Sequence, residues 1–261
     1  MAPDAPDRLS RQARQNRIID HLTREGSASA AELVELTGRS LMTIHRDIDE
    51  LAAKGFIRKF HGGVSALPTS VFESSAEFRR TRNPAAKSAL AKTASELIEP
   101  GMSVMVDDST TCLALAPFLA EIGPLTVLTN FRQLGEELRL SESIHLIMIG
   151  GTYSRSHDSY IGPPDITGLG SYSVDIVFQS TSTMNASWTF HQEQDVVSMK
   201  RVMLSAGARR ILMMDSSKVG KSSLHRYVEV SEFTDLVVTD DVEKGFIDDV
   251  DESVTVHLAR V

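Results

Sequence analysis

The sequence is poor in the residue types that mark secreted and membrane proteins. Its 261 residues include a single cysteine, Cys112, which excludes an intrachain disulfide and a cysteine-based zinc site. A lone cysteine also fits a reducing cytoplasm. The chain has no run of about 18 apolar residues, so we expect no transmembrane helix. Residues 1–15 lack the apolar segment of a secretory signal. We therefore expect a cytoplasmic protein without membrane contact, and we expect no cofactor.

Acidic side chains outnumber basic ones, which argues against a protein that coats nucleic acid with its whole surface. The formal net charge is −8, from 27 Lys and Arg against 35 Asp and Glu. Residues 8–65, however, hold ten basic and seven acidic side chains, so this segment carries +3 and the remainder −11. This asymmetry is expected when only one module meets DNA. Arg8, Arg11 and Arg14 recur on one side of the first helix, where they either contact phosphates or form an ordinary solvated face.

Residues 1–65 carry the signals of three helices and a hairpin. Helices are predicted over residues 9–24 and 30–37, the second opened by a capping box from Ser29 to Glu32 and closed at Gly38. A third helix begins at Ser40 and ends at Gly55. Residues 56–60 then predict a strand, and residues 61–63 predict the turn that reverses it. This order of elements is that of a winged helix-turn-helix domain, whose third helix enters the major groove of DNA.

The third helix has one apolar face and one polar face. The spacing places Ile44, Ile48, Leu51 and Ala52 on the apolar face. We place Thr43, Arg46, Asp47 and Glu50 on the opposite face, with His45 near its edge. Most amphipathic helices bind nothing, so the order of all the elements, rather than this helix alone, favours DNA binding. The predicted DNA contacts are Arg39, Ser40, Thr43, His45, Arg46, Arg58, Lys59 and His61.

Residues 66–82 form a predicted linker, with a short helix possible at residues 73–80, and residues 83–261 form a second domain. Asn83 caps a helix that begins at Pro84 and runs to residue 97. Short apolar strands then alternate with helices at residues 110–120, 131–140, 193–206 and 241–247, while residues 151–170 are loop-like. This alternation predicts an α/β fold with a mostly parallel sheet covered on both faces. The predicted strands are residues 104–106, 125–128, 146–149, 176–178, 211–214, 236–238 and 254–258.

Small polar residues follow nearly every predicted strand. Ligands of open α/β sheets bind beyond the carboxyl ends of the strands, so this pattern predicts a pocket for a polar, anionic small molecule. Free N–H groups of a helix opening at Ser109 and the charge of Lys218 suit a phosphate, while Asp107 and Asn130 suit sugar hydroxyls. Any one segment is more simply a helix cap or a surface turn. The predicted effector-binding residues are Asp107, Ser109, Thr110, Thr111, Asn130, Gly150, Gly151, Ser180, Glu193, Lys200 and Lys218.

Motifs in both parts match a known pattern. In the front part, S-x-x-T-[IV]-R-R-D-[LI] followed by G-x-[LI]-x-R-x-H-G-G is matched except at His45 and Lys59. The matching residues of the rear part are Lys87, Asp107, Thr110, Thr111, Thr129, Asn130, Gly150, Gly151, Asp175, Phe178, Glu193, Lys200, Asp215, Lys218, Thr239 and Asp240. The chain thus resembles the DeoR family of bacterial sugar-metabolism repressors, whose sensor domain belongs with the ribose-5-phosphate isomerase fold. Ser109 and Ser180 replace family glycines.

The resemblance implies a repressor of a carbohydrate-metabolism operon, released or modulated by a phosphorylated sugar. Its partners would be operator double-stranded DNA and further copies of itself, as a dimer or tetramer. One alternative is an active sugar-phosphate isomerase with a DNA-binding head. Glu193 is a possible base, but residues 179–183 are amides and hydroxyls where the resembling isomerases carry acidic groups, so we expect no enzymatic activity. Another alternative is a rear domain that only oligomerises.

Overall fold

The computed structural model describes residues 10–53, 55–66, 75–162 and 168–261. Its contacts divide the chain into two units, with the boundary between Ser74 and Ser75. Residues 75–82, which the sequence analysis assigned to the linker, therefore lie in the second unit. Arg8, Pro68 and Lys54 lie outside the described residues.

The first unit is a three-helix domain with a small antiparallel sheet. Its elements are α1 (Arg11–Glu25), β1 (Ser27–Ala28), α2 (Ala30–Thr37), α3 (Leu41–Ala53), β2 (Ile57–Phe60) and β3 (Gly63–Ala66), with the strands in the order β1-β3-β2. Both halves of the capping box between Ser29 and Glu32 are formed, and Gly38 ends α2 in the left-handed conformation. The predicted winged helix-turn-helix order is confirmed.

The core of this unit is built from the predicted apolar faces. Ile18 and Leu22 of α1, Leu33 of α2, and Ile44 and Leu51 of α3 are fully buried. Gly62, in the turn between β2 and β3, has a φ of 96°, a conformation that side chains rarely adopt. The hairpin is closed by the pairing of Phe60 with Gly63.

Two charged residues of this unit lie where the sequence analysis did not place them. Asp47 was assigned to the polar face of α3, but it is 2% exposed and accepts hydrogen bonds from Arg14 Nε at 2.6 Å and Arg14 Nη2 at 3.1 Å. Arg14 is itself buried, so its assignment to a phosphate-contacting or solvated face is wrong. Arg11 pairs with Glu50 nearby. Arg11 and Arg14 thus join α1 to α3.

The second unit is built on a seven-stranded sheet in which every pairing is parallel. The strand order is β15-β14-β12-β9-β4-β5-β6. The strands are β4 (Ser103–Val106), β5 (Leu125–Thr129), β6 (Ile144–Met148), β9 (Val174–Gln179), β12 (Gly207–Met214), β14 (Asp235–Thr239) and β15 (Thr255–Ala259). The helices are α4 (Ala76–Arg80), α5 (Pro84–Ser95), α6 (Ala116–Ile122), α7 (Arg132–Leu138), α8 (Gln194–Ser205) and α9 (Lys244–Asp248).

Successive residues of each central strand pack into different cores. Val104 and Val106 of β4 lie in one core with α5, α6 and α7, while Met105 between them lies in another core with α8. Such alternation follows from the two-residue period of a strand, and it confirms the prediction of a sheet covered on both faces.

Two antiparallel elements were missed by the sequence analysis. Residues 151–170 were predicted as a loop, but they contain a hairpin of β7 (Thr152–Ser154) and β8 (Ser159–Ile161). A second small sheet joins β10 (Thr183–Met184), β11 (Trp188–His191) and β13 (His225–Glu229). Their strands are only two to five residues long, which is too short for a clear periodicity.

Two local predictions near the ligand edge are corrected. The helix predicted over residues 110–120 begins instead as a 3₁₀ turn, Cys112–Leu115, before α6. Asn83 stands at the N-cap of α5 but does not cap it with its side chain. Its amide donates instead to Asp215 Oδ1 and Ser217 Oγ, each at 3.1 Å, and so links α5 to the segment after β12.

Candidate DNA-binding face and candidate effector site

The candidate DNA-binding face is the exposed side of α3 together with the β2–β3 hairpin. His45 and Arg46 of α3 and Arg58 and His61 of the hairpin are exposed. Ser40 begins the helix, since its hydroxyl accepts a hydrogen bond from the Thr43 N–H group and also lies 3.0 Å from the Thr43 hydroxyl. Arg39 is half-buried in the turn between α2 and α3. The predicted set therefore lies on α3, on the turn before it and on the β2–β3 hairpin, and Thr43 in this set is half-buried.

Lys59 of this set is held by an ion pair. Its ammonium contacts Asp49 on α3, and this hydrogen bond lowers the pKa of the Asp49 carboxyl. The contact joins the hairpin to α3 and reduces the net charge that Lys59 could offer to a phosphate. Arg46 is thus the one residue of the predicted set that offers a permanent charge from the exposed side of α3.

The candidate effector site lies where the order of the parallel strands reverses direction. The chain begins the sheet at β4, adds β5 and β6 on one side, and returns to add β9 on the other. A crevice opens at such a point beyond the carboxyl ends of the strands. The segments that follow β4 and β9, residues 107–111 and 180–183, are the ones that this geometry brings together.

Asp107 and Lys200 form a buried ion pair at the carboxyl end of β4. Lys200 is 2% exposed, and its ammonium contacts Asp107 and donates to the Ser180 carbonyl at 3.0 Å. Burial alone would lower the pKa of Lys200, but the Asp107 and Asp108 carboxylates outweigh it and raise that pKa. Asp107 also accepts from the N–H groups of Ser109 at 2.9 Å and Ser180 at 3.0 Å. Asp107 and Lys200 thus satisfy one another.

Asp108 is held in the same way one residue further along. It is 5% exposed, accepts a hydrogen bond from the Ser159 hydroxyl at 2.7 Å, and lies 3.6 Å from the Lys200 ammonium. Burial would raise its pKa, but Lys200, His157 and Ser159 lower it to about 2. The carboxylate therefore stays ionised and ties the β7–β8 hairpin to the end of β4.

Two further lysines, Lys87 and Lys218, contact the threonines that follow Ser109. Lys87 of α5 donates to Thr110 Oγ1 at 3.0 Å and to the Arg79 carbonyl, and Lys218 donates to Thr111 Oγ1 at 3.2 Å and to Ser180 Oγ at 3.0 Å. Burial and the charge of Lys218 lower the pKa of Lys87 to about 7. Within the described residues, no carboxylate lies at ion-pair distance from Lys87. We call Lys87, Lys218, Thr110 and Thr111 the cation cluster.

A hydrogen-bonded chain runs from α4 to the start of α8. Arg79 Nη2 lies 3.3 Å from His157 Nδ1, and His157 Nε2 lies 3.1 Å from Glu193 Oε2. Because an arginine only donates, Nδ1 accepts and Nε2 carries the proton given to Glu193. The hydrogen bond from His157 lowers the pKa of Glu193, although partial burial opposes it. His157 itself is buried, so its contacts with Arg79 and Glu193 hold the β7–β8 turn in place.

Asn130, directly after β5, has one satisfied and one unsatisfied end. Its Nδ2 donates to the Tyr160 carbonyl at 3.0 Å, while its buried Oδ1 has no hydrogen-bond partner among the described residues. Gly150 and Gly151 follow β6. A side chain at Gly151 would meet the Ile161 carbonyl oxygen at 2.9 Å, so the β7–β8 hairpin accounts for this glycine.

Most of the predicted effector residues are joined by these contacts. Asp107, Ser109, Thr110, Thr111, Ser180, Lys200 and Lys218 meet at the ends of β4 and β9. Lys87 and Arg79 were absent from the predicted set, although Lys87 matched the family pattern. Sequence alone gave no sign that the short helix α4 reaches the site. Among the described residues, no group of three His, Cys, Asp or Glu side chains could hold a metal ion.

The fold and the two faces define a class of protein: a regulator with a winged helix-turn-helix head and an α/β sensor domain. Family comparisons agree with this. The model of the DeoR-like helix-turn-helix domain matches residues 14–70, and that of the DeoR C-terminal sensor domain matches residues 82–241. The chain belongs to the DeoR family of transcriptional regulators.

Relatives of the chain are regulators over nearly their whole length. It is 31% identical to the HTH-type transcriptional regulator YgbI of Escherichia coli K12, over 87% of this chain and 89% of that one. It is 30% identical to a putative aga operon transcriptional repressor of Escherichia coli O157:H7, over 87% and 86% of the two chains. It is 31% identical to the L-fucose operon activator of Escherichia coli K12, over 86% and 93%.

Similarity to solved structures is weaker. Ribose 5-phosphate isomerase A of Methanocaldococcus jannaschii matches 52% of this chain and 55% of its own, with a TM-score of 0.38 and 16% identity. Chaetomium thermophilum eIF2B delta matches 87% of this chain and 71% of its own, with a TM-score of 0.42 and 13% identity. At these scores the similarity carries nothing about activity. In the described part of the chain, every helix is too short or too polar to cross a membrane.

Proposed function

We propose that this protein is a repressor of a carbohydrate-metabolism operon and that a phosphorylated sugar, bound at the cation cluster, controls it. The observation that carries the proposal is the meeting of Lys87 and Lys218 over Thr110 and Thr111 at the switch point of the sheet. Lys87 donates to a hydroxyl and a carbonyl and has no carboxylate at ion-pair distance among the described residues, so its protonated form is available to an anion. The relatives named for the aga and fucose operons support the choice of a sugar derivative as the effector.

The proposed effector contacts differ in kind. Lys87, Lys218, Thr110 and Thr111 hold the phosphate, and the unsatisfied Oδ1 of Asn130 accepts a hydrogen bond from a sugar hydroxyl. Asp107 and Lys200 hold the shape of the crevice, because their polar atoms are already bonded to one another and to the backbone. Glu193, at the start of α8, is held in position by its hydrogen bond with His157.

The short helix α4 is the proposed link between effector and DNA. It follows residues 67–74, which join it in sequence to the head. The contacts that hold it include a hydrogen bond from Lys87 to the Arg79 carbonyl, the contact of Arg79 with His157, and a hydrogen bond from the Ala76 N–H group to the Ser156 carbonyl at 2.7 Å. A phosphate that draws Lys87 towards itself weakens the first contact and frees the end of α4. The coupling need be only about 1–3 kcal/mol to control operator binding.

We further propose that the protein acts in the cytoplasm as a homo-oligomer without enzymatic activity. Two or more heads are needed because a single head burying a small interface binds DNA weakly at physiological salt. An isomerase base works best with a pKa near the working pH, whereas His157 lowers that of Glu193. Turnover of pentose or hexose phosphates above background in a coupled assay would contradict this part of the proposal.

The DNA-binding half is tested with duplexes selected from a random pool by the full-length protein. Arg46→Ala should weaken binding to the selected duplex by about tenfold or more, because each good bidentate base contact is worth about 1–3 kcal/mol. Arg139→Ala removes the same charge from an exposed site in the second unit and serves as the control. Unchanged affinity and specificity for Arg46→Ala would contradict the assignment of α3.

The sensor half is tested by thermal unfolding with a panel of sugar phosphates and their unphosphorylated counterparts. A true effector at 100 times its dissociation constant adds about 2.7 kcal/mol of stability. Lys218→Ala should abolish this stabilisation and the release from DNA, while leaving DNA binding itself intact. The control is Lys221→Ala, an exposed lysine three residues further on. If none of the sugar phosphates stabilises the protein, the second unit only oligomerises.

A further inference from the structure

A long apolar side chain stands on the exposed side of the recognition helix. Met42, in the first turn of α3, is 69% exposed. The sequence analysis did not include it among the DNA contacts, and the family motif leaves its position unspecified. Packing within its own unit does not explain a methionine that is so exposed. Its position on the helix suggests what the side chain contacts.

The helical spacing places Met42 at the centre of the face that meets DNA. Met42, Arg46, Asp49 and Ala53 are separated by four, three and four residues, and all four are exposed. The opposite side carries the buried residues Ile44, Ile48 and Leu51. Met42 therefore lies one turn before Arg46 on the same line. In helix-turn-helix domains, the N-terminal residues of the recognition helix contact base edges in the major groove.

The chemistry of the side chain restricts what it recognises there. A thioether donates no hydrogen bond and accepts only weakly, so it recognises neither a phosphate nor a guanine or cytosine edge. The apolar group that base pairs present in the major groove is the C5-methyl of thymine. We propose that Met42 is a specificity-determining residue that contacts the thymine C5-methyl group in each operator half-site. Its flexible, polarisable side chain suits such a small apolar target.

The neighbouring exposed residue, Leu41, does not share this position. Leu41 precedes the buried Ile44 by three residues and Ile48 by seven, so it lies at the flank of the apolar side of α3. It is 52% exposed, which makes it a matched control: an apolar side chain in the same turn that points away from the line of Met42 and Arg46.

The experiment rests on the proposed function and separates its failure from the failure of this inference. The full-length protein first selects duplexes from a random pool, and each thymine of the selected half-site is then replaced by deoxyuridine, which lacks only the methyl group. At one position the replacement should weaken binding by the wild type about fourfold, which corresponds to about 0.8 kcal/mol for one buried methyl-sized group. Failure to select any sequence-specific duplex would contradict the proposed function itself.

Substitution of the residue then completes the test. Met42→Ala should bind the thymine and deoxyuridine duplexes equally at that position, whereas Leu41→Ala and the apolar replacement Met42→Leu should keep the preference. Because position 42 is exposed, circular dichroism should show these variants folded. If the wild type is insensitive to every methyl group, or if Met42→Ala keeps the fourfold preference, the inference is wrong.

Discussion

Lys87 and Lys200 are both buried lysines near the carboxyl end of β4, yet the charges around them shift their pKa values in opposite directions. Lys200 contacts the Asp107 carboxylate and lies near Asp108, and together they raise its pKa. Lys87 contacts a hydroxyl and a carbonyl, and burial with the charge of Lys218 lowers its pKa to about 7. The protein neutralises Lys200 with its own carboxylates, whereas the proposed function assigns Lys87 to an anion from outside.

The first unit repeats this division between two arginines. Arg14 is buried and donates two hydrogen bonds to the Asp47 carboxylate in a bidentate ion pair, so it joins α1 to α3. Arg46, on the exposed side of the same α3, projects its charge outward. In both units, then, one charge is paired inside the protein, and the proposed function assigns the other, which has no such pairing among the described residues, to a ligand. The predictions below test this division in the sensor unit, where both kinds of lysine are buried.

The largest expected effect is on stability. Lys200→Met should destabilise the second unit by about 3–5 kcal/mol, because it leaves the Asp107 and Asp108 carboxylates buried without their cation. Lys87→Met should change stability by no more than about 1 kcal/mol, because it removes a desolvated charge with no carboxylate beside it. Urea unfolding followed by fluorescence measures this in the second unit specifically, because the single tryptophan, Trp188, lies in β11.

The two variants control one another, since each replaces a buried lysine by the same apolar side chain. Equal losses of stability would show that Lys87 is as structural as Lys200. A loss for Lys87→Met larger than that for Lys200→Met would reverse the comparison altogether.

Sequence reasoning predicted the elements whose causes are local. The capping box at Ser29, the helix stops at Gly38 and Gly55, and the alternation of strands and helices all follow from neighbouring residues. Asp47 was misplaced although its spacing held a signal: it follows Ile44 by three residues and precedes Leu51 by four, which puts it on the buried side of α3. Its partner Arg14 lies 33 residues away, so the pairing itself was invisible.

The site was predictable to the level of segments but not of contacts. Polar residues after the strands predicted one edge of the sheet, since parallel strands carry their carboxyl ends to one edge, and the structure brings several of these residues into contact there. Which lysine meets which carboxylate depends on tertiary packing, and so the sequence analysis included Lys200 and left out Lys87. The β7–β8 hairpin, which brings His157 and Ser159 to the site, consists of strands three residues long, below the length at which periodicity is informative.

The next effect in size is on effector affinity. Lys87→Met should weaken binding of the phosphorylated sugar by about 10- to 100-fold, because a hydrogen bond to a charged group contributes about 1.5–3 kcal/mol. Lys92→Met, an exposed lysine of the same helix α5, should leave the affinity unchanged. Isothermal titration calorimetry with the effector found by thermal unfolding measures both. Unchanged affinity for Lys87→Met would remove this residue from the phosphate site.

The smallest effect is on pH dependence, and its sign follows from the pKa of Lys87. In the folded protein this pKa is about 7, whereas in the unfolded chain it returns towards 10.5. Between these values the unfolded chain binds more protons, so the contribution of Lys87 to stability rises with pH through this window. A phosphate requires the protonated lysine, so effector affinity should fall over the same range, by at most about tenfold per pH unit above 7.

These opposite trends distinguish a ligand-binding lysine from a structural one. The second pKa of a sugar phosphate is about 6, so about nine-tenths of it is already dianionic at pH 7 and its charge changes little across this window. The difference between wild type and Lys87→Met, measured from pH 7 to pH 9, isolates the lysine from all other titrating groups. Stability without ligand should rise and effector affinity should fall with pH in the wild type relative to the variant. If effector affinity does not fall with pH in the wild type relative to the variant, the phosphate is not held by the charge of Lys87.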